Sequence, residues 1–442
     1  MVEILMIFIA LGLTILVHEF GHFYTAKKMG MAVERFSIGL GPKIIGFKRG
    51  ETEYLISLFF MLGGYVKLAG ENPEEVAKLG NRAFLNQPPY KRIAVTVSGV
   101  TLNFLLAIAL MWVVLISGSE ALKAQIGSVK EGMPAYEAGV RKGDTVTAIN
   151  GKKIRHWNDL TEAIAKSKSP ELRLSLLRDG AQTDLVLKPV IEETEDIIKD
   201  IKKKPMIGIS PLVFLNEVDT VEKGFPAEDA GVLKGDIIES VNGVKINDWE
   251  EFVSFTSDNG IKPYVLAVKR GGAGVSLNIT PKSEPSKKEG DPDRYITGIS
   301  PKANTVKERY GPFEAVGLAV DRTLYYTQLT MRAIYKMIAR QIEPDVAGPI
   351  GVLHITYKVA QEGIIPLIML FAIININLAL VNFLPLLPFD GGLTLMFLIE
   401  WITGKSVPLK VQEVLMQIGW AFLIFLLVFF TYKDILRIFF GK

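Results

Sequence analysis

Residues 4–24 read ILMIFIALGLTILVHEFGHFY. Residues 4–17 carry no charge, and a helix needs roughly 20 apolar residues to cross about 30 Å of hydrocarbon. His18-Glu19-Phe20-Gly21-His22 falls at the end of that run. Residues four apart share a helix face, so both imidazoles can reach one metal ion. Glu19 sits beside that face, where a carboxylate can take a proton from water. Two imidazoles and a carboxylate are costly in lipid unless they serve a function. One stretch therefore predicts a membrane helix and a metal site on it.

Three more runs of this length lie further along. Residues 93–118 read IAVTVSGVTLNFLLAIALMWVVLISG, residues 364–388 contain no charge, and residues 414–430 read VLMQIGWAFLIFLLVFF. The expected fold is a polytopic α-helical membrane protein with four spans, at 1–27, 93–118, 364–388 and 412–432. The first is not read as a cleaved signal peptide, because Glu3 replaces a basic start and no small-residue cleavage site follows. The composition agrees: 49% of the 442 residues are hydrophobic. The mean hydropathy is +0.28, where soluble domains are negative. A net charge of +3 argues against nucleic acid as a partner. With no Cys, disulfides, a cysteine nucleophile and thiolate metal sites are excluded.

Sidedness follows from Lys and Arg near the spans. Residues 27–92 hold eleven of them, including Lys27, Lys28, Arg35, Lys43 and Lys48, whereas residues 1–3 hold none. That loop is expected to be cytoplasmic, and 119–363 external. Lys433, Arg437 and Lys442 pull weakly the other way.

The middle of the chain repeats itself. Residues 126–160 and 218–252 align at a constant offset of 92, with 15 identities in 35 positions. Pro134/Pro226, Gly143-Asp144/Gly235-Asp236, Asn150-Gly151/Asn242-Gly243 and Trp157/Trp249 coincide. Each copy reads as a short helix, a strand, an Asn-Gly hairpin turn, a second helix and an alternating strand. That order resembles PDZ domains of envelope proteases, which add an extended peptide to a sheet edge beside a helix or act as steric filters. The copies are placed at 119–204 and 205–282, with a solvated linker over 283–310. Gly208-Ile-Ser-Pro211 recurs as Gly298-Ile-Ser-Pro301, which predicts a matching edge strand for each copy.

A catalytic zinc site needs three protein ligands and an open position. Without Cys or a convincing third His, the third ligand should be a carboxylate. Asp390 in Asn382-Phe-Leu-Pro385-Leu-Leu-Pro388-Phe-Asp390-Gly391-Gly392 is the leading choice, because two prolines break the helix there and two glycines permit a turn. Spacing alone leaves Glu400, Glu343 and Asp345 open. His156 and His354 are given no role.

These residues resemble the site-2 protease family of intramembrane zinc metalloproteases. The resemblance rests on His18–His22 in the first span, Asn382…Pro385…Asp390-Gly391 after the third, and the tandem repeat between. Val33–Gly39, Gly63–Lys67, Gly99…Asn103-Phe104 and Gly348-Pro-Ile-Gly351 add to it. It covers nearly the whole chain. It implies zinc bound by His18, His22 and Asp390, Glu19 as general base, and Asn382 holding substrate or stabilising charge. It further implies a bacterial cytoplasmic (inner) membrane location and regulated intramembrane proteolysis. Substrates would be membrane-spanning anti-sigma factors or signal peptide remnants. The second proline stands at Pro388, one place later than in many relatives, and Leu393 replaces a family His; both bear on the groove's shape.

Residues 33–38, 43–47, 53–58 and 64–68 offer short β-like runs between glycines. They predict a membrane-associated β-region that captures substrate as an added strand, with Gly63, Gly64, Tyr65, Val66, Asn382 and Pro385 lining its path. Residues 311–342 predict an amphipathic helix lying on the membrane surface or docking the repeats. Two rival functions remain at this stage. One is a membrane-anchored PDZ scaffold with a structural metal, for which Glu19→Gln would be harmless. The other is the same chemistry on pheromone or sporulation precursors.

Overall fold

The computed structural model describes residues 2–71, 76, 80–167, 169–196, 198–284, 293–343 and 346–440. Asp345 and residues 285–292 of the expected linker lie outside them. The chain divides into two compact units, residues 1–119 with 309–440 and residues 120–308.

The first unit contains α1 (Val2–Lys28), strands β1 (Val33–Arg49) and β2 (Thr52–Leu68), and α2 (Pro89–Ser117). After the other unit it resumes with α3 (Pro312–Ile338), α4 (Pro349–Glu362) and α5 (Ile364–Asn382), then α6 (Asp390–Thr403) and α7 (Leu409–Phe440). Among the described residues, four helices are long and apolar enough to cross a membrane: Ile7–Lys28, Pro89–Ser117, Ile364–Asn382 and Leu409–Ile438. These are the four runs read from the sequence. Local chemistry sets their ends. α2 starts with Pro89 in its first turn and stops at Gly118 with φ 94°. α5 was expected to run to residue 388 but stops at Asn382. Pro385 cannot continue a helix, and the residue before a proline is pushed out of the helical region.

α2 is the centre of this unit. Its buried positions include Val95, Gly99, Asn103, Ala107, Met111 and Val114, spaced three or four apart along one face. α1 approaches it at Gly21, where a Cβ would stand 2.6 Å from the Ser98 carbonyl oxygen; only glycine allows that contact. α3 packs Ala315 and Ala319 against Met111 and Leu115 of α2. Its small-residue face is thus taken up within the unit. α7 is held through Asp434, whose carboxylate accepts the N–H groups of Gly348 (3.0 Å) and Gly351 (2.7 Å) at the start of α4.

β1 and β2 each bend at glycines into two halves, so the pair folds as four short runs. Residues 64–68 pair antiparallel with 33–38, as in Phe36↔Val66 and Ile38↔Gly64. On their other side, 33–38 pair with 53–56, where both numbers rise together and the runs are parallel. Residues 43–49 pair antiparallel with 52–57. The four runs expected from the sequence are these, and 64–68 form one edge.

The second unit contains two copies of one pattern. In each, a short helix (Pro134–Glu137; Pro226–Asp229) precedes a strand (Thr145–Ile149; Ile237–Val241) and a hairpin. A longer helix (Trp157–Lys166; Trp249–Asn259) and two strands (Leu172–Arg178 and Ala181–Leu187; Tyr264–Arg270 and Ala273–Ile279) follow. The hairpin turns have φ 49° and 79° at Asn150-Gly151 and 50° and 80° at Asn242-Gly243, as a type I′ turn requires. Asp144 is 1% exposed and takes two hydrogen bonds from Arg178, at 2.8 and 2.7 Å. Asp236 is 0% exposed and takes two from Arg270, both at 2.7 Å.

The copies extend further than the sequence reading placed them. Ile209–Pro211 pairs with Ile126–Val129, and Ile207 is in the first core, so this copy runs past residue 204. Ile299–Ala303 pairs with Phe214–Val221 and completes the second sheet inside the stretch expected to be linker. Ile299 packs against the second core and gives that stretch an apolar side chain to bury, which a solvated linker lacks.

Candidate active site

α1 presents His18 and His22 one turn apart, with ring centroids 4.9 Å apart and planes at 82°. Their Nε2 atoms are 3.2 Å apart. Asp390, in the first turn of α6, brings Oδ2 to 3.0 Å from His18 Nε2 and 3.3 Å from His22 Nε2. Asp390 reaches them because the chain after Asn382 folds back on α6. A Cβ on Gly391 would strike the Phe383 and Leu384 carbonyls, and one on Gly392 would strike the Leu386–Leu387 peptide. Both glycines are thus required by close backbone contact, where the sequence reading had them permit a turn.

Three electron-pair donors therefore face one point. His22 Nδ1 lies 2.8 Å from the Val95 carbonyl oxygen, which can only accept. Nδ1 must carry the proton, leaving the Nε2 lone pair for a metal. Asp390 Oδ2 is buried with no hydrogen-bond partner and faces those two Nε2 atoms. Two imidazole nitrogens and one carboxylate oxygen form the donor set of a catalytic zinc site with room for a fourth ligand. The residues fit zinc.

Glu19 lies on the neighbouring side of α1. The backbone N–H of Val66 is bonded to its carboxylate. A Cβ added to Gly64 would come 3.4 Å from Glu19 Cγ and 2.8 Å from the Ser37 carbonyl oxygen, so glycine lets the β-edge reach the carboxylate. Asn382, at the end of α5, places Nδ2 3.5 Å from His18 Nε2. Leu387 is buried, with its carbonyl oxygen against Gly419 of α7, and the Leu387–Pro388 peptide is cis. Leu393 packs toward Ala26, Val95 and Phe397.

The alternatives for the third ligand fall away among the described residues. Glu400 receives Arg92 Nη2 at 2.5 Å, and the Arg92 guanidinium lies 4.7 Å over the Phe397 ring. The only cluster of metal-binding groups among the described residues is His18, His22 and Asp390, which excludes Glu343. Asp345 lies outside the described residues. His354 is exposed on α4, and His156 caps a helix of the other unit by accepting the Asp159 N–H at 3.3 Å. Sequence reasoning gave no role to Val95 and Gly99, which form the wall behind the imidazoles. A Cβ on Gly99 would stand 2.5 Å from His22 Nε2. The four-residue spacing of Val95, Gly99 and Asn103 along an uncharged span was the available signal.

Comparison with known proteins places the chain in a family. The profile of peptidase family M50 matches residues 6–426. The regulator of sigma-E protease RseP of Salmonella typhimurium is 33% identical over 97% of both chains. The Escherichia coli K12 protein of that name is 31% identical over 97% of both, as is protease RseP of Yersinia pestis. A solved PDZ domain of an SdrC-like protein from Listeria monocytogenes matches 21% of this chain and 90% of its own, at 19% identity and TM-score 0.17. Fold and site define a membrane-embedded, metal-dependent hydrolase. The chain belongs to peptidase family M50. It is a zinc metalloendopeptidase of the site-2 protease type, acting in regulated intramembrane proteolysis.

Proposed function

We propose that His18, His22 and Asp390 hold the zinc ion, and that Glu19 is the general base for hydrolysis of a peptide bond in a membrane-spanning segment. The observation that carries this is the meeting of His18 Nε2, His22 Nε2 and Asp390 Oδ2 beside Glu19. Zinc, when bound, polarises the scissile carbonyl and makes water acidic enough to lose a proton at neutral pH. Glu19 accepts that proton and delivers it to the leaving amine. The Asn382 amide donates to the oxygen on which negative charge develops.

A substrate helix hides its carbonyls in its own hydrogen bonds, so it must be opened first. We infer that the opened segment adds to the 64–68 edge. This edge pairs antiparallel with 33–38, and Gly64 adjoins Glu19. Gly63 and Gly64 allow close backbone approach, Tyr65 and Val66 supply the strand, and Pro385 is the proposed further contact along the path. Photocrosslinking from position 65 to a trapped substrate is expected; no crosslink from any of positions 63–68 contradicts it.

The element order of the repeated copies supports two PDZ domains in tandem. The basic residues of 27–92 support an inner-membrane protein with that loop and the active site near the cytoplasmic face, and the tandem outside. There it would exclude substrates with intact ectodomains. Membrane-spanning anti-sigma factors and signal peptide remnants fit such a filter after a first cut. The test is purified protein with a single-span substrate, zinc stripped and restored. Cleavage should vanish and return; cleavage that survives stripping refutes the reading.

A further inference from the structure

Asn103 is an amide in the middle of an uncharged span, and it is 0% exposed. A buried polar group in lipid is expensive without a partner. Its amide nitrogen is placed 3.2 Å from His18 Nδ1, while its Oδ1 is buried with no hydrogen-bond partner. The two ends of an amide are interchangeable in outline, so the network decides which faces the imidazole. With the oxygen toward His18, the orphaned acceptor meets an Nδ1–H, and the Nε2 lone pair is left toward Asp390 Oδ2, 3.0 Å away. The neighbouring imidazole is held in the same way, with His22 Nδ1 against the Val95 carbonyl oxygen. Val95, Gly99 and Asn103 lie on one face of α2 at four-residue intervals.

We propose that Asn103 is a positioning residue for the metal site: through Oδ1 it fixes the tautomer and ring plane of His18, as the Val95 carbonyl does for His22. The inference rests on His18 being a zinc ligand. Partners of this kind typically change metal affinity 10- to 100-fold when removed.

The test is zinc affinity of the purified full-length protein, by competition with a chelating dye at fixed pH, for wild type, Asn103→Leu and Asn103→Asp. Leu keeps the volume and removes the acceptor; Asp keeps both. Asn103→Leu is expected to bind zinc about 10- to 100-fold more weakly, with Asn103→Asp at or near the wild-type affinity. A ring merely propped by bulk would not distinguish the two. Wild-type affinity in Asn103→Leu, or equal weakening in both variants, overturns the proposal. If Asn103→Leu does not accumulate, Asn103→Ala is read by the same criteria. Failure of the wild type to bind zinc would instead refute the metal-site reading beneath it.

Discussion

Asp390 Oδ2 stands 3.0 Å from His18 Nε2, although the two residues belong to the first helix and to the one before the last. Asp390→Ala should therefore remove a ligand and abolish both zinc retention and cleavage. Glu400→Gln should keep zinc, because Glu400 is bonded to Arg92 rather than to the imidazoles. Zinc content after gel filtration in detergent checks both. Zinc retained by Asp390→Ala, or lost from Glu400→Gln, would reassign the third ligand.

Gly99→Ala tests how tightly α2 fits against the site. The added methyl would stand 2.5 Å from His22 Nε2 and 2.8 Å from His18 Cε1. Overpacking of this kind costs about 1–3 kcal/mol, and here it displaces both imidazoles. Zinc affinity and cleavage should fall together, whereas Gly317→Ala, with open space at its Cβ, should leave both unchanged. Equal behaviour of the two variants would contradict the close fit.

Acid should loosen residues 120–308 through two equivalent carboxylates. Burial alone would raise the Asp144 carboxyl, but its bonds to Arg178 and to the Arg141 N–H hold it below the ordinary range. At Asp236 the Arg270 bond is the main cause of the same depression. A depressed carboxylate contributes stability that is complete above its unfolded value, about 3.9, and is lost as pH falls through the folded value. Hydrogen exchange of this unit in the full-length protein should rise below about pH 4. Asp236→Asn should raise it at neutral pH, since it removes the charge that Arg270 pairs with. Unchanged exchange in Asp236→Asn would count against the pair.

Much of this was legible in the sequence, for identifiable reasons. The four spans follow from the length and hydropathy of uncharged runs, and His18 and His22 from helical spacing. The repeat was visible because it is ungapped, and it carried Asp144/Asp236 and Trp157/Trp249 into equivalent places. What escaped depends on contacts between distant segments. The prolines and glycines around Asp390 could rank it above Glu400, but only the fold shows Arg92 bonded to Glu400. The repeated Gly-Ile-Ser-Pro marked an edge strand near 298–301 inside the stretch placed as linker, and only pairing with Phe214–Val221 shows that Ile299–Ala303 belongs to the second sheet. The wall formed by Val95 and Gly99 acts through a carbonyl and a missing side chain, which leave little trace in residue type.

The central claim is that Glu19 acts on water beside a zinc ion it does not hold. The direct test compares wild-type protein and Glu19→Gln, each loaded with zinc, on the same single-span substrate. Equal zinc content is expected, with cleavage by the variant reduced at least 10²-fold, the usual weight of a general base. Cleavage by Glu19→Gln at the wild-type rate would contradict the account.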